Sequence, residues 1–340
     1  MKKMTKREVV ELAISGKKVP YTPWQFSFTQ EPWKMLISHF GTENLEIHLH
    51  PHMTGGGTCS FKEHGKDHVI DNFGVVWNRS IDKDIGMVEG VLIPEPDISL
   101  YKFPNPDDPI FWKELERTIK SDKNHEIYRV YNIGFSFYER AWTLRGMENL
   151  MMDFIDNPKF VEKLFDTIAD FNIELINRAL KYDIDAIMFG DDWGQQCGLI
   201  MGPECWRKFI KPRLKRMYGK VRADGKKVII HSCGDVDELF DDLIDIGLNC
   251  FNPFQPEVMD TRALLDKYYG KLAFFGGLST QQTLPRGTVE DVRRESRWLL
   301  QKGLRGGYIF SPAHAVEGGV PLENILAFID EAVSQPGFKS

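Results

Sequence analysis

Cysteines are few in this sequence, and long apolar runs and basic stretches are missing from it. Its 340 residues include five cysteines, an odd and scattered set that argues against a disulfide framework. No apolar run is long enough for a membrane span, and the charged start of the chain is unlike a signal peptide. The net charge of -6, with no basic stripe, argues against nucleic acid as a partner. We therefore expect a cytoplasmic protein without membrane contact.

Strand-like and helix-like patterns alternate along the chain. Eight apolar segments typical of strands are separated by amphipathic segments typical of helices. This alternation predicts an α/β fold, a closed (β/α)8 TIM barrel that takes up residues 1–340 as one domain. The predicted strands are Val19–Phe26, Leu45–His50, Tyr128–Ile133, Asp185–Phe189, Lys227–His231, Asn249–Asn252, Leu272–Phe275 and Gly307–Phe310.

Residues 51–107 interrupt this alternation. They contain three consecutive glycines, Gly55 to Gly57, followed by two strand-like segments and a proline-rich run. The pattern predicts a β-hairpin excursion after the second barrel strand, which lies over or beside the mouth of the barrel.

The most informative stretch runs from Lys227 to Asp235. A β-branched apolar run ends in His231-Ser-Cys233-Gly-Asp, which predicts a buried strand followed by a loop. Side chains two residues apart on a strand point to the same side, so His231 and Cys233 can face one metal ion. Imidazole and thiolate are ligands that zinc prefers. The alternative is that both residues are part of the core, where cysteine is common.

Barrel enzymes carry their active sites at the carboxyl ends of the strands. In this sequence polar and aromatic residues collect at those ends, including His48 and His50 after the second predicted strand. We predict catalytic roles for Asp191, Asp192 and Tyr138, and an aromatic-walled substrate pocket. Capping is the alternative for the two aspartates, and core packing is the alternative for the aromatic residues. The predicted substrate-binding residues are Trp24, Gln25, Phe26, Phe135, Trp193 and Phe254.

Nearly the whole chain resembles the uroporphyrinogen decarboxylase superfamily, a (β/α)8 barrel family that also contains cobalamin-dependent methyltransferases. The resemblance implies the same fold and a homodimer. It is carried by Val19-Pro20 through Phe26, Gly190-Asp-Asp-Trp-Gly, Pro203-Glu-Cys-Trp-Arg-Lys-Phe-Ile-Lys-Pro, His231-Ser-Cys-Gly-Asp, Asn252-Pro-Phe-Gln-Pro, Gly276-Gly277 and Gly306-Gly-Tyr-Ile-Phe-Ser-Pro-Ala-His.

Two departures from the family patterns bear on function. The decarboxylase branch has an arginine-rich segment after strand one that binds the substrate carboxylates, whereas this chain has Trp24-Gln25-Phe26 and no arginine there.

The methyltransferase branch has His-x-Cys after strand five, matched by His231 and Cys233, and a Cys after strand eight. His314 aligns with that third zinc ligand. For the fourth position the resemblance leaves three carboxylates open, those of Glu139, Asp191 and Glu317.

The resemblance therefore implies a zinc-dependent methyltransferase that demethylates a small molecule, such as an aryl methyl ether or a methylamine. Its cobalamin is supplied by a separate corrinoid protein, because this sequence shows no D-x-H-x-x-G type corrinoid-binding signature. Transfer from the corrinoid to a thiol is a second role within this class. Two alternatives outside it stay open: a metal-free decarboxylase or lyase that acts on a smaller acid, and a binding barrel without turnover.

Overall fold

The structure of the chain, a computed structural model, describes residues 4–339. The chain folds into two compact units. The first comprises the chain up to Thr54, residues 122–129 and the chain from Asn249 onwards, and the second comprises residues 55–121 and 130–248. The assignment of one domain to residues 1–340 stays a prediction.

The strands belong to two sheets. Their bounds are β1 Met53–Gly57, β2 Phe61–Glu63, β3 His68–Asp71, β4 Val76–Asn78, β5 Met87–Glu89, β6 Tyr128–Ile133, β7 Ala186–Gly190, β8 Lys227–His231, β9 Cys250–Phe254, β10 Ala273–Leu278 and β11 Tyr308–Pro312. The main sheet has the order β1-β6-β7-β8-β9-β10-β11, and β2 to β5 form a smaller sheet. The pairs β6–β7, β7–β8, β9–β10 and β10–β11 are parallel.

Helices separate the successive strands of the main sheet. The bounds of the α-helices are α1 Lys6–Ile14, α2 Gln30–Phe40, α3 Glu46–Leu49, α4 Lys113–Ser121, α5 Tyr138–Arg145, α6 Met147–Asp156, α7 Pro158–Ala179, α8 Pro203–Cys205, α9 Lys211–Ala223, α10 Phe240–Asp245, α11 Thr261–Lys267, α12 Thr283–Arg286, α13 Val289–Gly303 and α14 Leu322–Val333. Between residues 4 and 339, no helix has both the length and the apolar composition that crossing a bilayer requires. The predicted fold class, an α/β barrel of the (β/α)8 type with a β-excursion, is confirmed.

Local sequence explains why strand β8, which leads to the candidate site, and helix α7 form where they do. The three central residues of β8, Val228 to Ile230, are all buried, as expected for a parallel strand covered on both faces. Helix α7 begins with Pro158, whose missing N–H costs nothing at a helix start, and buries an apolar stripe that includes Leu164 and Ile168. These elements form the core of the second unit and fix the ends of its strands.

The predicted strand Leu45–His50 is wrong. Residues 46–49 form the short helix α3, and the strand is β1, at Met53–Gly57. A Cβ atom on Gly55 would collide with the Val130 carbonyl oxygen, so the glycines let this strand approach β6 closely. Because the strand starts later, His48 and His50 precede it instead of following its carboxyl end.

The predicted strand Val19–Phe26 is extended but is not a regular strand. It makes isolated parallel bridges, Trp24 with Phe310 and Phe28 with Val316. Pro20 and Pro23 lack an N–H, so this stretch cannot complete a ladder of hydrogen bonds. The Gln25 N–H still donates to the Phe310 carbonyl, 3.1 Å away, which aligns the segment with β11.

The predicted excursion is present, but it is a four-stranded antiparallel sheet, β2 to β5, instead of a hairpin. Buried ion pairing anchors it to α5. The Arg140 guanidinium lies 2.7 Å from the Asp71 carboxylate, and both side chains are buried. Arg145 donates to the carbonyls of Ile93 and Pro94. The start of α5, which carries Glu139, is therefore held against the excursion.

Candidate metal centre and its surroundings

Strand β8 brings His231 and Cys233 together as the sequence predicts. The Cys233 Sγ lies 3.4 Å from the His231 Nε2, and both side chains are half-buried. Their spacing of two residues places them on the same side of the extended chain. A nitrogen and a sulfur donor at this separation have the chemistry and spacing of two ligands in a tetrahedral zinc site.

The loop after β7 holds the loop after β8 in place. The N–H groups of Asp191 and Gly194 donate to the carbonyls of His231 and Cys233, at 2.9 and 3.2 Å. In the opposite direction, the Cys233 N–H donates to the Asp192 Oδ1 at 2.8 Å. Hydrogen bonds on both sides of Cys233 therefore fix its backbone before any ligand binds.

Asp191 caps the first turn of helix α5. Its carboxylate is fully buried and accepts hydrogen bonds from the N–H groups of Phe137 and Glu139, at 3.3 and 2.8 Å, and from the Trp193 indole. It thus satisfies the free N–H groups at the start of α5. Burial raises the pKa of Asp191 to about 7, while these hydrogen bonds act in the opposite direction. The capping alternative is supported, and a catalytic role for Asp191 stays a prediction.

Glu139 and Cys233 lie in a region with an excess of negative charge. Burial, followed by the negative charges of Asp192 and Asp191, raises the pKa of the Glu139 carboxyl well above its usual value. Burial, followed by Asp192 and Glu139, likewise raises the pKa of the Cys233 thiol. A bound cation would reverse these effects, since it stabilises the ionised forms of both groups. The electrostatics around Glu139 and Cys233 therefore suit a metal ion.

His314 follows β11, as predicted, and is half-buried. It lines a cavity of about 360 Å³, together with the side chains of Gln255, Thr280, Gln281 and Glu317. His314 belongs to the first compact unit, whereas His231 and Cys233 belong to the second. These three residues are the predicted ligand set, and their binding of one zinc ion stays a prediction.

Most of the predicted substrate-binding aromatic residues are buried. Trp24 is fully buried, and its indole N–H donates to the Leu49 carbonyl at 2.8 Å. Trp193 and Phe254 are also fully buried; Trp193 packs against Trp206, and Phe254 stacks on Phe274 at 4.2 Å. The interactions that surround these side chains are typical of core packing.

The other three predicted substrate-binding residues differ from one another in burial and in their contacts. Phe26 is nearly buried and packs edge-to-face on Phe310 and Phe328. The Gln25 side chain accepts a hydrogen bond from the Met53 N–H at 3.0 Å. Half-buried Phe135, in a left-handed backbone conformation, packs against Trp77 with the ring centroids 4.8 Å apart. Substrate contacts for all six residues stay predictions.

Tyr138, a predicted catalytic residue, is fully buried. Its hydroxyl is directed at the sulfur atoms of Met147 and Met151, at 3.2 and 3.7 Å. Burial raises its pKa, with a further contribution from Asp191. The hydroxyl is therefore held in its neutral form within the helical layer.

Sequence reasoning missed the contact between Asp192 and Cys233 and the polar cavity beside His314. The Gly190-Asp-Asp-Trp-Gly stretch contained a signal for the first, since glycine often marks a point where two backbones approach closely. Indeed, a Cβ atom on Gly234 would collide with the Gly194 backbone. The cavity gave no such signal, because its polar residues come from three separate loops.

Comparisons with known proteins agree with this architecture. The family model of uroporphyrinogen decarboxylase (URO-D) matches residues 140–334, which include His231, Cys233 and His314. Uroporphyrinogen decarboxylase from Mannheimia succiniciproducens is 25% identical over 261 residues, which make up 72% of this chain and 66% of that protein. The chain thus spans slightly less than two thirds of that relative. For the enzyme from Actinobacillus succinogenes the identity is 24% over 262 residues, with 73% and 68% covered.

A solved structure is similar over almost the whole chain. It is a methyltransferase from Methanosarcina mazei, with a TM-score of 0.72 and 16% sequence identity. The similarity covers 97% of this chain and 98% of the other. At this identity the likeness concerns the fold, and it supports the (β/α)8 architecture.

Proposed function

Because this chain belongs to the uroporphyrinogen decarboxylase family, whose model matches more than half of it, we propose that it is a zinc-dependent methyltransferase of that family. It moves a methyl group between a small methylated molecule and a corrinoid protein. The observation that carries the proposal is the close pair of His231 and Cys233, with the sulfur 3.4 Å from the imidazole Nε2. His314, which lines a cavity in the first unit, is the proposed third ligand. The fold shared with the Methanosarcina mazei methyltransferase supports it.

The three donors fit zinc by their chemistry, since catalytic zinc sites have three protein ligands and one exchangeable position. Glu139 is the proposed carboxylate for that fourth position. Burial and the neighbouring aspartates raise its pKa above the usual value, which favours its protonated form, and a bound cation would favour its ionised form. Bound zinc would supply Lewis acidity to the heteroatom that carries the methyl group, or to a thiol acceptor.

The other residues of the site orient these ligands. Asp192 accepts the hydrogen bond of the Cys233 N–H and so fixes the backbone that carries the thiol. Asp191 holds the first turn of α5, and with it the backbone of Glu139. Both aspartates thus act in this proposal by positioning ligands, a role that second-layer groups take in many metal sites.

Cobalamin comes from a separate corrinoid protein in this proposal, since the sequence carries no corrinoid-binding signature. Docking of that protein requires an accessible site. The half-buried ligands and the cavity beside His314 meet this requirement. The homodimer that the family resemblance implies and the cytoplasmic location stay predictions.

Decarboxylation of a smaller acid is the second candidate, and the names of the two decarboxylase relatives favour it. Such a reaction calls for cations that bind the substrate carboxylates. The cavity beside His314 is lined by neither lysine nor arginine. Arg140, close to Glu139 in sequence, is buried and paired with Asp71. The charges of these residues therefore favour methyl transfer.

The proposal is tested by methyl transfer to free cob(I)alamin, followed by the absorbance change that accompanies methylcobalamin formation. We expect turnover with a small methylated donor and no conversion of uroporphyrinogen. Transfer from methylcobalamin to a thiol, without any demethylation of a small molecule, would assign the second role within the class. Conversion of uroporphyrinogen without methyl transfer would refute the proposal.

A further inference from the structure

The cavity beside His314 lies where a substrate of this fold is expected. Gln255 follows β9, Thr280 and Gln281 follow β10, and His314 and Glu317 follow β11. The cavity is thus formed at the carboxyl ends of three successive strands, the side on which barrel enzymes bind their substrates. Its volume of about 360 Å³ suits a small molecule.

The walls of this cavity are polar and acidic. Gln255, Thr280 and Gln281 offer amide and hydroxyl groups, and the aliphatic part of the wall consists of Leu284, Ala315, Val316 and Val320. Glu317 is the only Asp, Glu, Lys or Arg among the lining residues, and its side chain is exposed. No aromatic side chain lines the cavity apart from the His314 imidazole. The aromatic-walled pocket predicted from the sequence is therefore not found at this cavity.

The Glu317 carboxylate has no ion-pair partner in the part of the chain that the structure describes. Within residues 4–339, neither Glu317 nor Glu31, whose carboxylate lies against the Gly318 backbone, forms an ion pair. As the one charged residue of the cavity wall, Glu317 gives that wall a negative potential, which attracts cations and repels anions.

From these observations, and resting on the proposed methyl transfer, we infer that Glu317 selects the substrate by charge. The preferred methyl donor is a small molecule in which the methyl-bearing heteroatom is separated by a few atoms from a primary or secondary ammonium group. The ammonium N–H groups donate to the Glu317 carboxylate. Small carboxylates and sulfonates, including anionic thiol acceptors, are disfavoured.

Three methyl ethers with tails of similar size test this inference. 2-Methoxyethylamine carries a cationic tail, 1-methoxypropane a neutral one and methoxyacetate an anionic one. Their affinities are compared by ligand-observed NMR titration at neutral pH. We expect the amine to bind tightest and the acid weakest, with about a fivefold step per unit of tail charge, the size of a partly exposed ion pair. Equal binding of all three, or no binding of any, overturns the inference.

Two variants and one control connect the selectivity to this side chain. Glu317→Gln removes most of the preference for the amine, and Glu317→Lys reverses it in favour of methoxyacetate. Glu323→Gln serves as the matched control, because Glu323 is an exposed glutamate at the start of α14 that does not line the cavity. An unchanged preference in Glu317→Gln contradicts the inference.

Methyl transfer to cob(I)alamin from the same three ethers separates this inference from the proposed function. If none is demethylated while binding still follows the charge of the tail, the selectivity stands and the proposed reaction fails. If all three are demethylated with equal kcat/KM, the reaction stands and the selectivity fails.

Discussion

The Asp192 carboxylate accepts a hydrogen bond from the Cys233 N–H, with 2.8 Å between the Oδ1 and the nitrogen. This bond joins the loop after β7 to the loop that carries two of the proposed zinc ligands. It lies beside Cys233 in a half-buried region, where a hydrogen bond to a charged group is stronger than at the surface. Asp192 therefore controls the position of Cys233 without having to bind the metal itself.

Removal of this bond should weaken metal binding more than it weakens the fold. We expect Asp192→Ala to lower the affinity for zinc by roughly 10- to 100-fold, the usual effect of losing a group that orients a ligand. Asp192→Asn keeps an oxygen acceptor and should retain most of the affinity. Competition with a zinc chelator measures both values, and equal losses in the two variants would contradict the role assigned to the Asp192 oxygen.

Gly234 should tolerate no side chain. It has a φ of +86°, and a Cβ atom there would collide with the backbone of Gly194. Gly225 is the matched control, since its φ is +73° and a Cβ atom on it meets nothing within 4 Å. We expect Gly225→Ala to cost about 1 kcal/mol from backbone strain, and Gly234→Ala to cost roughly 2 kcal/mol more. Urea unfolding measures both, and equal losses would exclude a close contact of the two loops.

Zinc binding should strengthen as the pH rises. The pKa of the Cys233 thiol is raised by burial and by Asp192 and Glu139, so at neutral pH the thiol keeps its proton until a metal displaces it. Each proton released on binding makes the apparent affinity roughly tenfold higher per pH unit. Titrations at pH 6, 7 and 8 should show this slope, and Cys233→His should show a shallower one. A flat profile would mean that no thiolate forms.

Asp191 should make the metal-free protein less stable as the pH rises. Its pKa of about 7 in the folded protein lies above the value near 4 of an unfolded aspartate, so its contribution to the stability is fully present below pH 4 and is lost as the pH rises to about 7. Asp191→Asn should remove a pH dependence on the order of 2 kcal/mol between pH 5 and 7.5. Chemical denaturation at these two pH values measures it. An identical pH dependence in both proteins would show that Asp191 is ionised throughout.

Local patterns in the sequence were sufficient for the elements that carry the proposed metal ligands. The β-branched run before His231 is continuously apolar and has the length of a buried strand, and the spacing of two to Cys233 places both side chains on one side. The fold follows from the repeated alternation of such segments with helices. These signals are local, so no contact between distant residues was needed to read them.

The parts that the sequence did not reveal depend on contacts between distant residues. The glycines of β1 have a low strand propensity, and their role appears only from the close approach of Gly55 to Val130. The indole N–H of buried Trp24 donates to the Leu49 carbonyl, and Asp191 caps a helix that begins 53 residues earlier, at Tyr138. A single sequence does not contain such pairings.

The most direct test of the account is the zinc content of the protein purified without a chelator. Mass spectrometry under native conditions should find one zinc ion per chain, lost in Cys233→Ala and His314→Ala and kept in Cys205→Ala. Cys205 lies on α8 and is not part of the ligand group, so it provides the matched control. If the unmodified protein holds no zinc, or if His314→Ala keeps a full complement, the proposed metal centre is wrong.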